Sequence, residues 1–206
     1  MIRKLERTPS IPSRILKKIR KNAPFKGGDW DLKQSCITEF KALIKAQLKI
    51  IQSDKCAYCG LPIGETSRFE IEHIAPKGGP ARPQYVQYTF TKMNLVLACN
   101  LCNCTEKKGT YDTIANNPVN KDYTQNQFKI VHPYIDDHAL HYSWPAGQNS
   151  VLIQGITDKG HESIKLFELD SSKHSEARAK VKIFEALKSN PKGIELINSI
   201  LGYNPI

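Results

Sequence analysis

Two Cys-x-x-Cys pairs, Cys56 with Cys59 and Cys99 with Cys102, constrain this chain more than any other feature. A Cys-x-x-Cys turn lets two thiolates reach one tetrahedral ion, so the two pairs together make a complete four-sulfur shell for zinc. A closed shell leaves no open position for a substrate. The zinc is therefore expected to be structural, its binding free energy contributing directly to folding. Ordinary zinc ribbons separate their pairs by roughly 15 to 20 residues, whereas here 39 residues, 60 to 98, intervene. Any chemistry is to be sought in that insert.

The insert reads as strand, loop, strand. Arg68 to Ile74 (RFEIEHI) alternates polar and apolar residues as a half-buried strand does. Ala75-Pro76-Lys77-Gly78-Gly79-Pro80 stops it, because Pro and paired Gly break a ladder. Asn94 to Ala98 is the second strand. A helix is expected to begin near Cys99, since cysteines three apart share one side of its first turn, and Asn103 follows immediately.

In order, the series C-x-x-C, E-H-I-x-P-K, G-G, N-L-V-L-A-C and C-x-x-C-N resembles the zinc-stapled HNH endonucleases, over roughly a quarter of the chain. The resemblance implies an α+β fold with a ββα-metal, treble-clef-like core stapled by Cys56, Cys59, Cys99 and Cys102 on structural Zn²⁺. Position by position, it implies that His73 is the general base that deprotonates the attacking water. It likewise implies that Glu72 and Asn103 hold a catalytic Mg²⁺ or Mn²⁺, and that Asn94 braces the loop presenting the base. The family often has Asp before the base and His at the last position; Glu72 and Asn103 still offer oxygen.

Elementary chemistry suits those roles. Phosphodiester hydrolysis needs an activated water, neutralised phosphate charge and help for the leaving 3′ oxygen, which one base beside one divalent ion supplies. Histidine titrates near neutrality, and a hard ion that keeps several waters needs few protein oxygens. Other readings of the same residues stand beside these. The four cysteines also suit a noncatalytic nucleic-acid-binding module, and Asn94 also suits an ordinary turn. Lys107 and Lys108 suit either phosphate contact or a solvated helix face. Lys77, Arg82, Tyr85 and Tyr88 lie in the long loop from Pro76 to Thr91, which suits substrate binding or plain packing.

Charge is concentrated at one end. The chain carries a net +10, and residues 1 to 30 hold nine Lys or Arg against Glu6 and Asp29. Such a basic arm suits a phosphate backbone, or an acidic partner protein. No apolar run of secretory or membrane-spanning length is present, so a cytoplasmic protein with no membrane association is expected. Of six cysteines, four belong to the cluster; Cys36 reads as a small buried hydrophobe and Cys104 as a spare thiol. A reducing compartment fits this usage.

Around the insert, Asp31 to Ser53 predicts a helix with Ile37, Phe40, Leu43, Ile44, Leu48 and Ile51 on its apolar side. Tyr111 to Asn126 is a polar connector. Val131 to His141 crowds three histidines and two aspartates together, which suits a packed turn or a second metal site. Leu140 to Trp144 and Val151 to Ile156, joined by PAGQNS, predict a hairpin. Ser171-Ser172 can cap a helix to about Lys188 with Ala177, Val181, Ile183, Phe184 and Leu187 on its apolar side, and Gly193 to Leu201 predicts a last one.

The expected organisation is a basic arm and amphipathic helix (1–53), a zinc-stapled nuclease module (54–125) and a C-terminal α/β extension (126–206), with no repeats and no Walker A loop. This layout, with its PYIDDHALHY segment, resembles the HNH subunits of Septu-type and retron-linked antiphage systems. That resemblance implies a DNA or RNA substrate and an ABC-type, PtuA-like ATPase partner. A free-standing restriction or homing nuclease and a noncatalytic zinc adaptor are the alternative functions.

Overall fold

The alternation at residues 68–74 becomes strand β1, Phe69–His73, in a computed structural model that describes residues 2–64, 67–82, 84–119, 122–145 and 150–202. Strand β1 pairs antiparallel with β2, Leu95–Cys99, in a register running from Phe69 opposite Cys99 to His73 opposite Leu95. All five residues of β2 are buried, which is why LVLAC is continuously apolar rather than alternating. Cys99 and His73 thus stand at opposite ends of the hairpin, about 13 Å apart along it at ~3.3 Å per residue.

Among the described residues two α-helices and a 3-10 turn precede the hairpin: α1, Ser13–Arg20, the turn at Asp29–Asp31, and α2, Ser35–Gln52. Helix α2 packs on β2 and buries Ile37, Phe40, Ile44 and Leu48 completely. Each such side chain contributes roughly 1.5–3 kcal/mol by leaving water. Gln52 ends the helix by acting as a short surrogate strand. Its Nε2 donates to the Leu97 carbonyl at 2.8 Å, and its Oε1 accepts from Leu97 N at 2.8 Å.

The basic N-terminal stretch is not a free arm. Its cations alternate with Ile2, Leu5, Ile11, Ile15 and Ile19, all buried, and Leu5 N donates to the Pro133 carbonyl at 2.8 Å. Amphipathic periodicity beneath the charge holds the segment down, with the basic groups facing outward.

The helix expected from Cys99 is also corrected. Residues 100–110 form successive turns: Asn103 N bonds to the Cys99 carbonyl at 3.0 Å, and Lys108 N then reaches back to the Cys102 carbonyl at 3.2 Å. Asn, Thr and Gly are poor helix formers, Gly109 takes a positive φ of 33°, and Cys102 must fold back so that its amide donates to Cys99 Sγ at 3.4 Å. The two strands of the expected ββα core are therefore seen, and the third element is not a helix.

Beyond the core, Ile114 bridges Phe128, and the expected hairpin shrinks to β3, Tyr142–Ser143, against β4, Gln154–Gly155. Residues 146–149 of its PAGQNS connection lie outside the described residues. Helix α3, Asp158–Phe167, was not expected from sequence; Thr157 caps it by accepting from Gly160 N, and a Cβ on Gly160 would overlap the His141 carbonyl. Helix α4, Ser172–Lys188, is capped by Ser171 as expected, and α5, Pro191–Leu201, packs on it. The apolar faces of α4 and α5 are largely uncovered, with Ile183 61% and Ile200 65% exposed. No described helix is long and apolar enough to cross a membrane.

Candidate active site and cysteine cluster

At one end of the hairpin the Sγ atoms of Cys56, Cys59, Cys99 and Cys102 lie within 4.8 Å of one another, and all four residues are buried. Cys59 Sγ and Cys99 Sγ are 4.0 Å apart, near the ~3.8 Å edge of a tetrahedron with Zn–S bonds of about 2.3 Å. The first pair sits on a knuckle in which Cys56 N bonds to the Leu61 carbonyl at 2.9 Å and Gly60 N to the Cys56 carbonyl at 3.0 Å, Gly60 supplying a φ of 72°. The Cys99 amide donates to Cys56 Sγ at 3.4 Å, an arrangement that favours thiolate. The donor set and spacing fit zinc. Among the described residues no other group of His, Cys, Asp and Glu converges in this way, so the histidines of 131–141 do not form a second cluster. Cys36 is buried apart, and Cys104 Sγ donates to the Leu101 carbonyl at 3.0 Å.

At the opposite end lies a cleft of about 370 Å³ whose walls include Trp30, Glu72, His73, Lys77, Asn103 and Thr110. Larger hollows of about 550 and 590 Å³ occur elsewhere, but neither is lined by His73, Glu72 or Asn103. His73 ends β1 with its Nε2 3.1 Å from the Thr89 carbonyl. A carbonyl only accepts, so Nε2 carries the proton and Nδ1 keeps its lone pair. Trp30, from the 3-10 turn before α2, covers the imidazole edge-on at 4.5 Å. Burial, reinforced by Lys77, pushes the His73 pKa down to about 3, so the ring is neutral at physiological pH.

Asn94 is wholly buried where β2 begins. Its Oδ1 accepts from Ala75 N at 2.7 Å and from Tyr123 Oη at 2.9 Å, while Nδ2 donates to the carbonyls of Ala75 and Tyr88, each at 3.1 Å. One amide thereby ties the chain just after His73 to the chain just before Thr89. The histidine-rich segment buttresses it: His132 Nδ1 accepts from Tyr134 N at 3.1 Å, which leaves Nε2–H to donate to Tyr123 Oη at 3.0 Å.

Glu72 and Asn103 reach the cleft with different neighbours. Asn103 Nδ2 donates to Glu70 Oε2 at 2.9 Å, leaving its Oδ1 for another partner. Glu72 is buried, with Oε1 ion-paired to Lys108 Nζ at 2.9 Å. Burial holds the Glu72 carboxyl above its ordinary value, only partly opposed by Lys108. A buried carboxylate whose Oε1 faces Lys108 and an amide oxygen left over by the Glu70 bond are both hard oxygen donors of the kind a divalent ion takes, so these residues fit one.

The four cations expected near nucleic acid are placed differently from one another. Arg82 is exposed, and Lys77 lines the cleft 3.7 Å from Asp31. Lys107 is tied to the Phe167 carbonyl and to Glu168, both at 3.1 Å. Lys108 is fully buried and offers no ammonium to a surface ligand. Tyr85 and Tyr88 pack, bonding to Asp112 Oδ1 at 2.8 Å and the Val119 carbonyl at 2.7 Å. Trp30 and Tyr123 are the site neighbours that sequence reasoning missed. Neither lies in a motif, and only long-range packing brings them here.

No protein-family model matches the chain, and no solved structure matches it. Among curated proteins it is 29% identical over 151 residues to Septu protein PtuB of Bacillus mycoides (strain KBAB4), covering 67% of this chain and 50% of that protein. It is 35% identical over 74 residues to Septu protein PtuB of Bacillus thuringiensis, covering 35% of this chain and 26% of that one. The alignment thus spans half the length of the first relative and about a quarter of the second.

Proposed function

We propose that this chain is a metal-dependent HNH endonuclease acting as the nuclease component of a Septu-type antiphage defence complex. The defence assignment rests on similarity to two proteins named Septu protein PtuB. The chemistry rests on one observation above the others: His73, locked by the Thr89 carbonyl into the tautomer with a free Nδ1, shares a cleft with Glu72 and Asn103.

In this reading His73 Nδ1 takes a proton from water as the water oxygen bonds to phosphorus. The bond from phosphorus to the 3′ oxygen breaks, and that oxygen leaves protonated by solvent. An imidazole already neutral at pH 7 is available as acceptor, and the incoming phosphodiester anion raises its basicity. Asn94 keeps the His73 and Thr89 segments in register, which preserves the Nε2 bond and so leaves Nδ1 as the unprotonated nitrogen. Glu72 and Asn103 would hold Mg²⁺ or Mn²⁺, which when bound neutralises charge on the phosphate and the leaving oxygen. The cysteine cluster, on Zn²⁺, anchors the far end of the hairpin. An ABC-type ATPase of the PtuA kind is the proposed partner.

One observation favours a second reading, a noncatalytic zinc adaptor: Glu72 is already paired with Lys108. Purified chain in Mg²⁺, incubated with plasmid DNA and with bulk tRNA, alone and with any co-purifying ATPase, separates the two. Cleavage that disappears in His73→Ala, with folding and zinc content kept, supports the nuclease and identifies its substrate. Equal inertness of both proteins in every mixture would overturn it in favour of the adaptor.

A further inference from the structure

Lys108 is the one lysine among the described residues that is fully buried, and an ammonium removed from water needs both a counter-ion and hydrogen bonds. Glu72 Oε1, 2.9 Å away, supplies the first, and the His73 carbonyl at 3.3 Å accepts from Nζ. Buried ion pairs of this kind add little net stability compared with apolar packing, so stability alone does not account for a charge placed here. The turn that carries the ammonium is also fastened. Lys107, its neighbour, is fastened to the Phe167 carbonyl and Glu168 at the end of α3, so the turn carrying Lys108 is pinned on its outer side.

The consequence is electrostatic. Among the described residues the one carboxylate lining the cleft is ion-paired with a fully buried cation, while Lys77 on the cleft wall faces Asp31 at 3.7 Å. Such a site offers hard oxygens, but with Lys108 beside it Glu72 draws a dication less strongly than an unpaired carboxylate would, the nearby Glu70 being engaged by Asn103. A phosphodiester anion entering the cleft restores that attraction. Resting on the nuclease reading above, we infer that Lys108 makes divalent-ion binding conditional on substrate: its charge neutralises Glu72 until a nucleic-acid phosphate arrives. By linkage the phosphate then tightens the metal and the metal tightens the phosphate by the same factor. The free enzyme is thereby kept unloaded, and the loaded one forms only around its substrate.

The test is Mn²⁺ binding, followed by calorimetry and by the Mn²⁺ paramagnetic resonance signal. It uses the full chain carrying His73→Ala, so that added nucleic acid survives. Affinity is measured without and with a short single-stranded oligonucleotide, DNA in one series and RNA in the other. The expected result is weak binding alone and tightening on the order of tenfold or more with one oligonucleotide. Lys108→Met on the same background should bind Mn²⁺ tightly without nucleic acid and gain little from it, and Lys108→Arg should restore the dependence.

Weaker Mn²⁺ binding in Lys108→Met would overturn the inference, making Lys108 an orienting partner of Glu72. So would an affinity in the Lys108 chain that neither oligonucleotide changes, a comparison that survives even if Lys108→Met does not fold. Wild-type cleavage together with uncoupled Mn²⁺ sinks only this inference. No Mn²⁺ binding under any condition, with no cleavage by wild type, sinks the nuclease reading itself.

Discussion

Asn94 shows how much of this site hangs on one side chain. With Ala at that position the Ala75 amide, the Ala75 and Tyr88 carbonyls and the Tyr123 hydroxyl all lose a buried partner. The Tyr123 hydroxyl keeps His132 and the Tyr88 carbonyl keeps Thr91 N, but the two Ala75 groups are orphaned at about 1–3 kcal/mol each, so Asn94→Ala should lower unfolding stability by at least ~2 kcal/mol in urea titration. The buried histidines make a second residue-scale prediction. Burial first of all pushes His132 down to about 3 and His138 down to about 4. Below the ordinary value near 6.5 the unfolded chain takes up protons that the folded chain refuses, so stability is full above that pH and is lost as pH falls toward those values. Neither ring nitrogen of His138 has a well-formed hydrogen bond, its contact with the His132 backbone being a weak one, so His138→Phe forfeits little there. It should stabilise the chain more at pH 5 than at pH 8, by up to ~1.4 kcal/mol per pH unit within that window.

At the scale of elements, α2 and α4 each carry an apolar face and meet different fates. Helix α2 lies on β2 and leaves Ile44 and Leu48 no exposure, so Ile44→Ala or Leu48→Ala should cost about 2–5 kcal/mol. Helix α4 buries only His174 and Arg178 and leaves Phe184 and Ile183 in solvent. Ile183→Lys or Ile200→Lys should change stability by less than ~0.5 kcal/mol, and thermal melts of the four variants would check the contrast. Periodicity shows where an apolar face lies and says nothing of what covers it. Helix α3 was missed for a related reason: Gly160 near its start lowers helix propensity, and it is there because His141 passes too close for any side chain.

In the whole molecule the cysteine cluster is the element whose loss should spread furthest, because it joins the knuckle at 56–60 to the end of β2 and so closes the chain around the insert. Structural zinc is worth about 10–16 kcal/mol in small zinc domains, comparable to the 5–15 kcal/mol that stabilises a typical protein. Chelation should therefore abolish cooperative unfolding of this region. Thiol titration is the measurement: Cys104 reacts first, and zinc removal should make four further cysteines reactive together. If the thiol count stays unchanged after chelation, the cluster is not holding an ion. The sequence by itself determined the cysteine clamp, the strand pair, the order of Glu72, His73, Asn94 and Asn103, and the capped helix after Ser171, since spacing, period and capping are local properties of the chain. Only the tertiary structure decided that the basic N-terminal segment packs down, that residues 100–110 turn rather than coil into a helix, that Trp30 roofs His73 and that Lys108 faces inward onto Glu72. Each of those depends on which distant surface meets the segment, and burial of a charge becomes possible only when its counter-ion arrives from another part of the chain.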